Sequence, residues 1–418
     1  MKTRVLSNAA WMMSEKVVSV FGVIFVTSYV AKVFGPAVLG QMTFATSLFA
    51  IIQTIAIFGT ETILFKRISK SPAKGIRLMG VTRRLRMTLI LSISLPVLAY
   101  VWFSMQDAFA VYAFASFIAA IFVTQDTFSV FNNARLASRL NTLANSIGML
   151  LGFTISFSIA LLELSPLWLT LSIVTMTLVP YLIKRYAFYR EFGDIPPPPQ
   201  RRGLYLRHLV NASFPLAISS IFISAQVKMA QIFLASVVSA HDLGLFAAAN
   251  TIAASWIFIP AALITSSFSE IFRERSEAAI KLTARLNGYV TAISLGMLVI
   301  VTLFGQHIIT ALYGPAYGQS GELVSILALA TCFSAMGTVA YRYIVKEGGF
   351  NYLLKKIVCL MAIGIPLSFL LIQHYGLMGA AWSVFITELL SLTVMNYFFK
   401  NGIIQKIQLF SFHREVYK

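Results

Sequence analysis

Apolar stretches long enough to cross a bilayer fill most of this chain and leave it few alternatives to a membrane fold. A helix needs about 20 consecutive apolar residues to span the hydrocarbon. Twelve such stretches are readable, near 9–32, 41–64, 87–105, 109–131, 143–163, 167–184, 211–238, 244–268, 288–306, 322–345, 357–373 and 378–399. Composition agrees: 58% of residues are hydrophobic and 11% charged, where a soluble domain carries about 25% charged residues. The expected fold class is all-α integral membrane, with twelve transmembrane helices. The first stretch holds Glu15 and Lys16, exceeds the length of a signal-peptide core and has no small-x-small cleavage site, so it reads as a retained helix. Cys332 and Cys359 fall inside expected spans without disulfide or metal spacing and read as inert thiols.

Charge sets the orientation. Of the 33 basic residues, 29 fall in seven segments: Lys2–Arg4, Lys66–Arg86, Arg135–Arg139, Lys184–Arg207, Arg273–Arg285, Lys346–Lys356 and Lys400–Lys418. The remaining four are Lys16, Lys32, Lys228 and Arg342. The alternate connections, around residues 34–40, 106–108, 164–166, 239–243, 306–322 and 374–377, carry none. Short loops rich in Lys and Arg stay cytoplasmic, so both termini are expected in the cytoplasm. The net charge of +18 is then a topogenic signal, and nucleic acid is not an expected partner.

Pro196-Pro197-Pro198-Pro199 followed by Arg201 and Arg202 cannot continue a helix and behaves as a semi-rigid spacer. It divides the chain into a six-helix lobe at 1–183, a cytoplasmic linker at 184–209, a second six-helix lobe at 210–399 and a basic tail at 400–418. The halves echo one another at an offset of 204 residues, where Leu39-Gly40 meets Leu243-Gly244 and Ala45-Thr46 meets Ala249-Asn250. Duplicated six-helix halves are a transporter architecture. In the tail, Ile403, Ile404, Ile407 and Phe410 alternate with Lys406, Arg414 and Lys418, the pattern of a basic amphipathic helix on the inner leaflet or of a frayed basic tail.

Motifs for enzymatic chemistry are missing. Gly75–Gly80 is followed by Val81-Thr82, so there is no phosphate-binding loop with its lysine. The five histidines are scattered over both faces without metal spacing, and no nucleophile elbow or paired loop carboxylates occur. The expectation is a transporter, with no enzyme activity and no resident cofactor.

A charge at mid-bilayer costs about 2.5–3.5 kcal/mol on insertion scales, so each one needs a reason. Lys228 lies about 25 Å along the seventh span at 1.5 Å per residue. Ser213, Ser220, Ser224, Lys228 and Gln231 fall on one face of that helix, a polar stripe on an apolar rod. The stripe reads as a cavity lining, or as a serine packing seam with a snorkelling lysine. Thr43, Ser47, Thr54 and Glu61 form a similar expected stripe on the second span. Three acids are candidates for proton or sodium coupling: Glu388 near the midplane of the twelfth span beside Thr387 and Ser391, Glu61, and Asp126 on the fourth span. Lys16 and Lys32 are further candidates for substrate contact, but about 160° separates them on an ideal helix, so they share a cavity only if the helix bends.

Four segments then carry a family resemblance: Phe34-Gly35-Pro36-Ala37-Val38-Leu39-Gly40 with Phe58-Gly59, Asp242-Leu243-Gly244-Leu245-Phe246-Ala247-Ala248-Ala249, Leu312-Tyr313-Gly314-Pro315-Ala316-Tyr317, and Tyr375-Gly376-Leu377-Met378-Gly379-Ala380-Ala381. In their order and spacing the chain resembles bacterial polysaccharide repeat-unit flippases, the O-antigen and capsule translocases. These belong to the multidrug/oligosaccharidyl-lipid/polysaccharide exporter superfamily. The resemblance implies a V-shaped, MATE-like pair of six-helix lobes working by alternating access in the bacterial cytoplasmic membrane. It implies an undecaprenyl-diphosphate-linked oligosaccharide as substrate, a polysaccharide polymerase as partner, and coupling by H+ or Na+ without nucleotide. The family often has a basic residue followed two positions later by aspartate in the seventh span. Lys228 fills the first position here and Ala230 stands at the second. On the residues themselves, Lys228, Gln231, Ser224 and Ser220 suit an anionic diphosphate with its sugars. Two other readings stay open: a cation-coupled drug exporter of the same superfamily, which would want acids instead, and a non-transporting scaffold for polysaccharide assembly.

Overall fold

The computed structural model describes residues 2–105, 107–193, 202–274 and 276–413. The Pro196–Pro199 run, Gln200, Arg201 and the tail end with Arg414 and Lys418 lie outside the described residues. Within them every regular element is a helix, as lipid requires of an open chain, because a helix satisfies its backbone groups internally. In chain order these are α1 (Lys2–Gly22), α2 (Ser28–Ile57), α3 (Thr60–Lys70), α4 (Pro72–Ser104), α5 (Asp107–Gln125), α6 (Thr127–Ala134), α7 (Ser138–Leu161) and α8 (Leu169–Phe192). There follow α9 (Arg202–Phe233), α10 (Ala240–Ala254), α11 (Phe258–Ile271), α12 (Ser276–Tyr313), α13 (Ser320–Lys346), α14 (Phe350–Leu392), α15 (Val394–Tyr397) and α16 (Ile403–Phe410).

Among the described residues, nine helical runs are long and apolar enough to cross a membrane, and α10 with α11, bent by 46°, makes a tenth. Two of the runs, Met13–Ile57 and Phe350–Tyr397, hold 45 and 48 residues. Straight, each would measure about 70 Å, more than twice the hydrocarbon thickness of about 30 Å. Each is broken at a glycine in a conformation that other residues avoid, Gly35 at φ 82°, ψ 173° and Gly376 at φ 53°, ψ −126°. The second break reverses the chain. A Cβ on Gly364 would sit 3.5 Å from the Thr387 side chain, a residue that a straight helix would carry about 34 Å away.

Several expected boundaries move. The basic segment Lys66–Arg86 is helical almost throughout, with Ser71 alone between α3 and α4. The stretch 306–322, one of the expected connections without basic residues, is mostly the end of α12, a short 3-10 turn and the start of α13. Lys and Arg are good helix formers, so a basic run marks where a helix leaves the membrane and not where it ends. The second span stops at Ile57, before Phe58 and Gly59, both at positive φ. Asp126 interrupts the fourth span between α5 and α6.

The packing divides the chain into two compact units, Met1–Lys228 and Met229–Lys418, so the division falls inside α9. In the first unit Ala45, Phe49, Ile52 and Ala56 of α2 pack with Tyr112, Ala113 and Phe117 of α5. A second cluster gathers Leu64, Ile68, Met79, Phe128, Phe131 and Phe188. In the second unit, Ile404 and Ile407 of α16 join Ala284, Leu286, Val290, Val339 and Tyr343 in one core. The described part of the tail is therefore a packed helix, tied further by Asn287 Nδ2 donating to Ser411 Oγ at 3.3 Å. The internal echo has a packing counterpart, since Ala45 and Ala249 are both fully buried and Gly40 and Gly244 are buried as well.

Candidate functional site

The polar stripe of α9 meets α2 at Ser224. Thr54 Oγ1 donates to Ser224 Oγ at 3.2 Å, joining the two stripes read from the sequence. The approach is made possible by Gly59, where a Cβ would lie 2.7 Å from the Ala217 backbone nitrogen. Phe58 and Phe214 face each other across the same crossing with ring centroids 6.4 Å apart. Lys228 is half-buried, as are Ser220 and Ser224, and Gln231 is buried. Thr43 and Thr54 also bond the carbonyls of Leu39 and Ala50, one turn back, at 2.7 and 2.8 Å. Those two hydroxyls are thereby at home in an apolar helix, and the α9 stripe carries the only charge of the pair of stripes.

Glu61 is the correction to the second stripe. It sits exposed in the first turn of α3, beyond the left-handed pair Phe58–Gly59, and does not share a helix with Thr43, Ser47 and Thr54. A carboxylate in a first turn is favoured by the helix dipole, which accounts for it without a coupling role. Lys16 and Lys32 are both exposed.

Asp126 is engaged in a network that the sequence did not reveal. It caps α6 by accepting from the Ser129 backbone N–H at 3.1 Å, and it accepts from Ser129 Oγ at 2.6 Å. Lys184 Nζ, on a side chain 3% exposed, lies 2.5 Å from Asp126 Oδ2. The same ammonium donates to Ser129 Oγ at 2.8 Å and Asn145 Oδ1 at 3.0 Å, and Asn145 Nδ2 donates to Glu15 Oε1 at 2.9 Å. Arg86, fully buried, donates to Thr60 Oγ1 at 2.9 Å and to the Thr124 carbonyl at 3.0 Å. Lys184 and Arg86 were read as ends of cytoplasmic basic segments; both are interior. The available signal was depth, because Asp126, Asn145 and Lys184 all fall at the same end of neighbouring spans. A carboxylate held by a buried ammonium and two Ser129 donors is built to fix the α5–α6 break, so Asp126 is a poor candidate for coupling.

Glu388 keeps its position in the second unit and gains neighbours. Its carboxylate accepts a hydrogen bond from Ser334 of α13 and feels the charge of Lys356. Lys356 Nζ donates to Asn396 Oδ1 at 2.8 Å. Thr387 and Ser383, on the same limb of α14, are buried. Lys356 was missed because it closes a basic segment. The reversal at Gly376 carries it back towards Glu388.

Fold and polar groups together define a multi-pass, all-helical membrane protein with ion pairs and hydroxyl stripes enclosed among apolar helices, the class in which secondary transporters fall. Residues 5–272 match the family model described as polysaccharide biosynthesis protein. The chain belongs to that family. It is 29% identical over 199 residues to the capsular polysaccharide biosynthesis protein CapF of Staphylococcus aureus, a match over 45% of this chain and 48% of CapF. The matched region thus spans about half the length of that relative. Among solved structures the lipid II flippase MurJ, in an inward closed conformation, superposes with a TM-score of 0.67 at 13% identity, covering 97% of this chain and 90% of MurJ. An inward-facing multidrug resistance MATE family transporter of the MOP superfamily gives 0.66 at 14% identity, covering 95% and 96%. At such identities the likeness is one of fold. The chain shares the fold of these two solved structures.

Proposed function

We propose that the protein is a flippase that moves undecaprenyl-diphosphate-linked oligosaccharide repeat units from the inner to the outer leaflet of the bacterial cytoplasmic membrane, for O-antigen, capsule or exopolysaccharide synthesis. The observation that carries the reading is Lys228, half-buried on a stripe of α9 whose Ser224 bonds Thr54 of α2. A diphosphate wants a cation at depth, and the sugars want the Ser220, Ser224 and Gln231 hydrogen-bonding groups. Outward movement of an anionic headgroup is favoured by an inside-negative potential, at about 2.3 kcal/mol per charge per 100 mV. The family match and the kinship with CapF support a role in polysaccharide export. A drug exporter of the same fold would want acids where this stripe carries a lysine.

In this reading the 45- and 48-residue runs broken at Gly35 and Gly376 each count as two spans. With the bent α10–α11 pair, that gives twelve spans in two six-helix lobes, with both termini cytoplasmic. Glu388 is the coupling carboxylate, exchanging a proton or sodium ion, and a polysaccharide polymerase takes the delivered glycan. Deleting the gene tests the function: a diphosphate-linked glycan should accumulate on the inner leaflet. An unchanged lipid-linked glycan pool with altered drug tolerance would favour the drug exporter instead.

A further inference from the structure

The twelfth-span acid faces a positive charge that the protein itself supplies. Within the second unit, α14 folds back at Gly376, so Lys356 on its first limb and Glu388 on its second are electrostatic neighbours. Lys356 and Glu388 act on one another electrostatically across the fold-back of α14. They do not form a direct ion pair. Each holds a neutral partner, Lys356 on Asn396 Oδ1 at 2.8 Å and Glu388 on Ser334. A carboxylate at this depth needs a counter-charge. An acid that binds sodium obtains it from the ion, together with oxygen ligands, since hard cations take oxygens.

We infer that Lys356 is the resident counter-cation of Glu388, occupying the electrostatic place of an alkali ion, so that this site binds no sodium in the native protein. The consequence for transport, coupling at Glu388 without sodium, rests on the reading of Glu388 as the coupling acid. The binding property itself does not need that reading. Removing the lysine while keeping the acid strips the counter-charge and frees Asn396 Oδ1, which turns the site into one that a sodium ion would stabilise.

The test uses purified full-length protein without glycan, with melting temperatures taken in sodium chloride and in choline chloride at equal ionic strength. The wild type should melt alike in both. Lys356→Met should melt below wild type in choline and regain about 2 °C or more in sodium. Lys356→Met with Glu388→Gln should lose the sodium response and melt above the single lysine variant, because neither buried charge is left alone. A sodium-dependent rise in the wild type that Glu388→Gln abolishes would overturn the inference, and so would a Lys356→Met protein indifferent to sodium. Lys356→Gln, which keeps an amide for Asn396, serves if the methionine variant does not fold. If neither can be purified, the wild type against Glu388→Gln decides. Failure of the flippase reading would appear in glycan transport and leave these temperatures untouched.

Discussion

Lys228 carries the functional reading at the scale of single residues. The adjoining hydroxyls Thr43 and Thr54 bond carbonyls of their own helix, whereas Lys228 brings a full charge to a depth where charge is costly. A hydrogen bond to a charged group is worth about 1.5–3 kcal/mol, so Lys228→Ala should lower glycan export about 10- to 100-fold. Lys228→Arg should retain most of it and Lys228→Glu should abolish it by repulsion, measured as surface polysaccharide at matched membrane levels. Glu347 offers a separate prediction outside the membrane spans. Lys400 Nζ at 2.7 Å and Lys346 Nζ at 3.3 Å bridge its carboxylate, and the hydrogen bond from Lys400, ahead of the one from Lys346, holds its pKa below the ordinary carboxylate value. A depressed carboxylate pKa adds stability above the unfolded-state value, and that stability is lost as pH falls through the folded-state value. Glu347→Gln should therefore lower the melting temperature slightly at pH 7 and flatten its decline below about pH 4.5. Equal slopes for both proteins would mean that the two bridges contribute nothing.

Breaks in helices, more than helices themselves, place the polar groups of the first unit. Asp126 ends α5, caps α6 and anchors Lys184, so Lys184→Met should cost about 3–5 kcal/mol by stranding a buried carboxylate. Adding Asp126→Asn should restore much of that loss in thermal unfolding. Losses that simply add would show that the pair is not coupled. Gly59→Ala should also lower the yield of folded protein. It places a Cβ 2.7 Å from the Ala217 nitrogen and forces φ 63° on a residue that resists it. These elements also show what the sequence could tell. Span-length hydrophobicity found the membrane helices, and periodicity found the α9 stripe, because both are local. The end of α2 at Ile57 was not local: it depends on the close crossing with α9 that only Gly59 permits, and so Glu61 was put on the wrong helix. Lys184 and Lys356 were read as loop charges because composition cannot distinguish a lysine that leaves the membrane from one that turns inward to meet an acid 58 or 32 residues away in sequence.

For the whole molecule, the all-helical membrane class and the polysaccharide biosynthesis family were legible in the sequence. The packing boundary at Lys228–Met229 was not, since a proline run looks like a divider and α9 carries the chain beyond it. The orientation can be checked with reporter fusions: Gln200 should report cytoplasmic, and Asp107 and Asp242 should report extracytoplasmic. An outer signal at Gln200 would invert the account. Outward carriage of a diphosphate-linked glycan through contact with Lys228 can be measured in proteoliposomes. The measurement is the rate at which an undecaprenyl-diphosphate oligosaccharide becomes accessible on the far leaflet. The wild type should give a rate well above that of protein-free vesicles, little changed in Lys228→Arg and reduced about 10-fold or more in Lys228→Ala. A wild-type rate equal to that of empty vesicles, or a Lys228→Ala rate equal to wild type, would contradict such carriage.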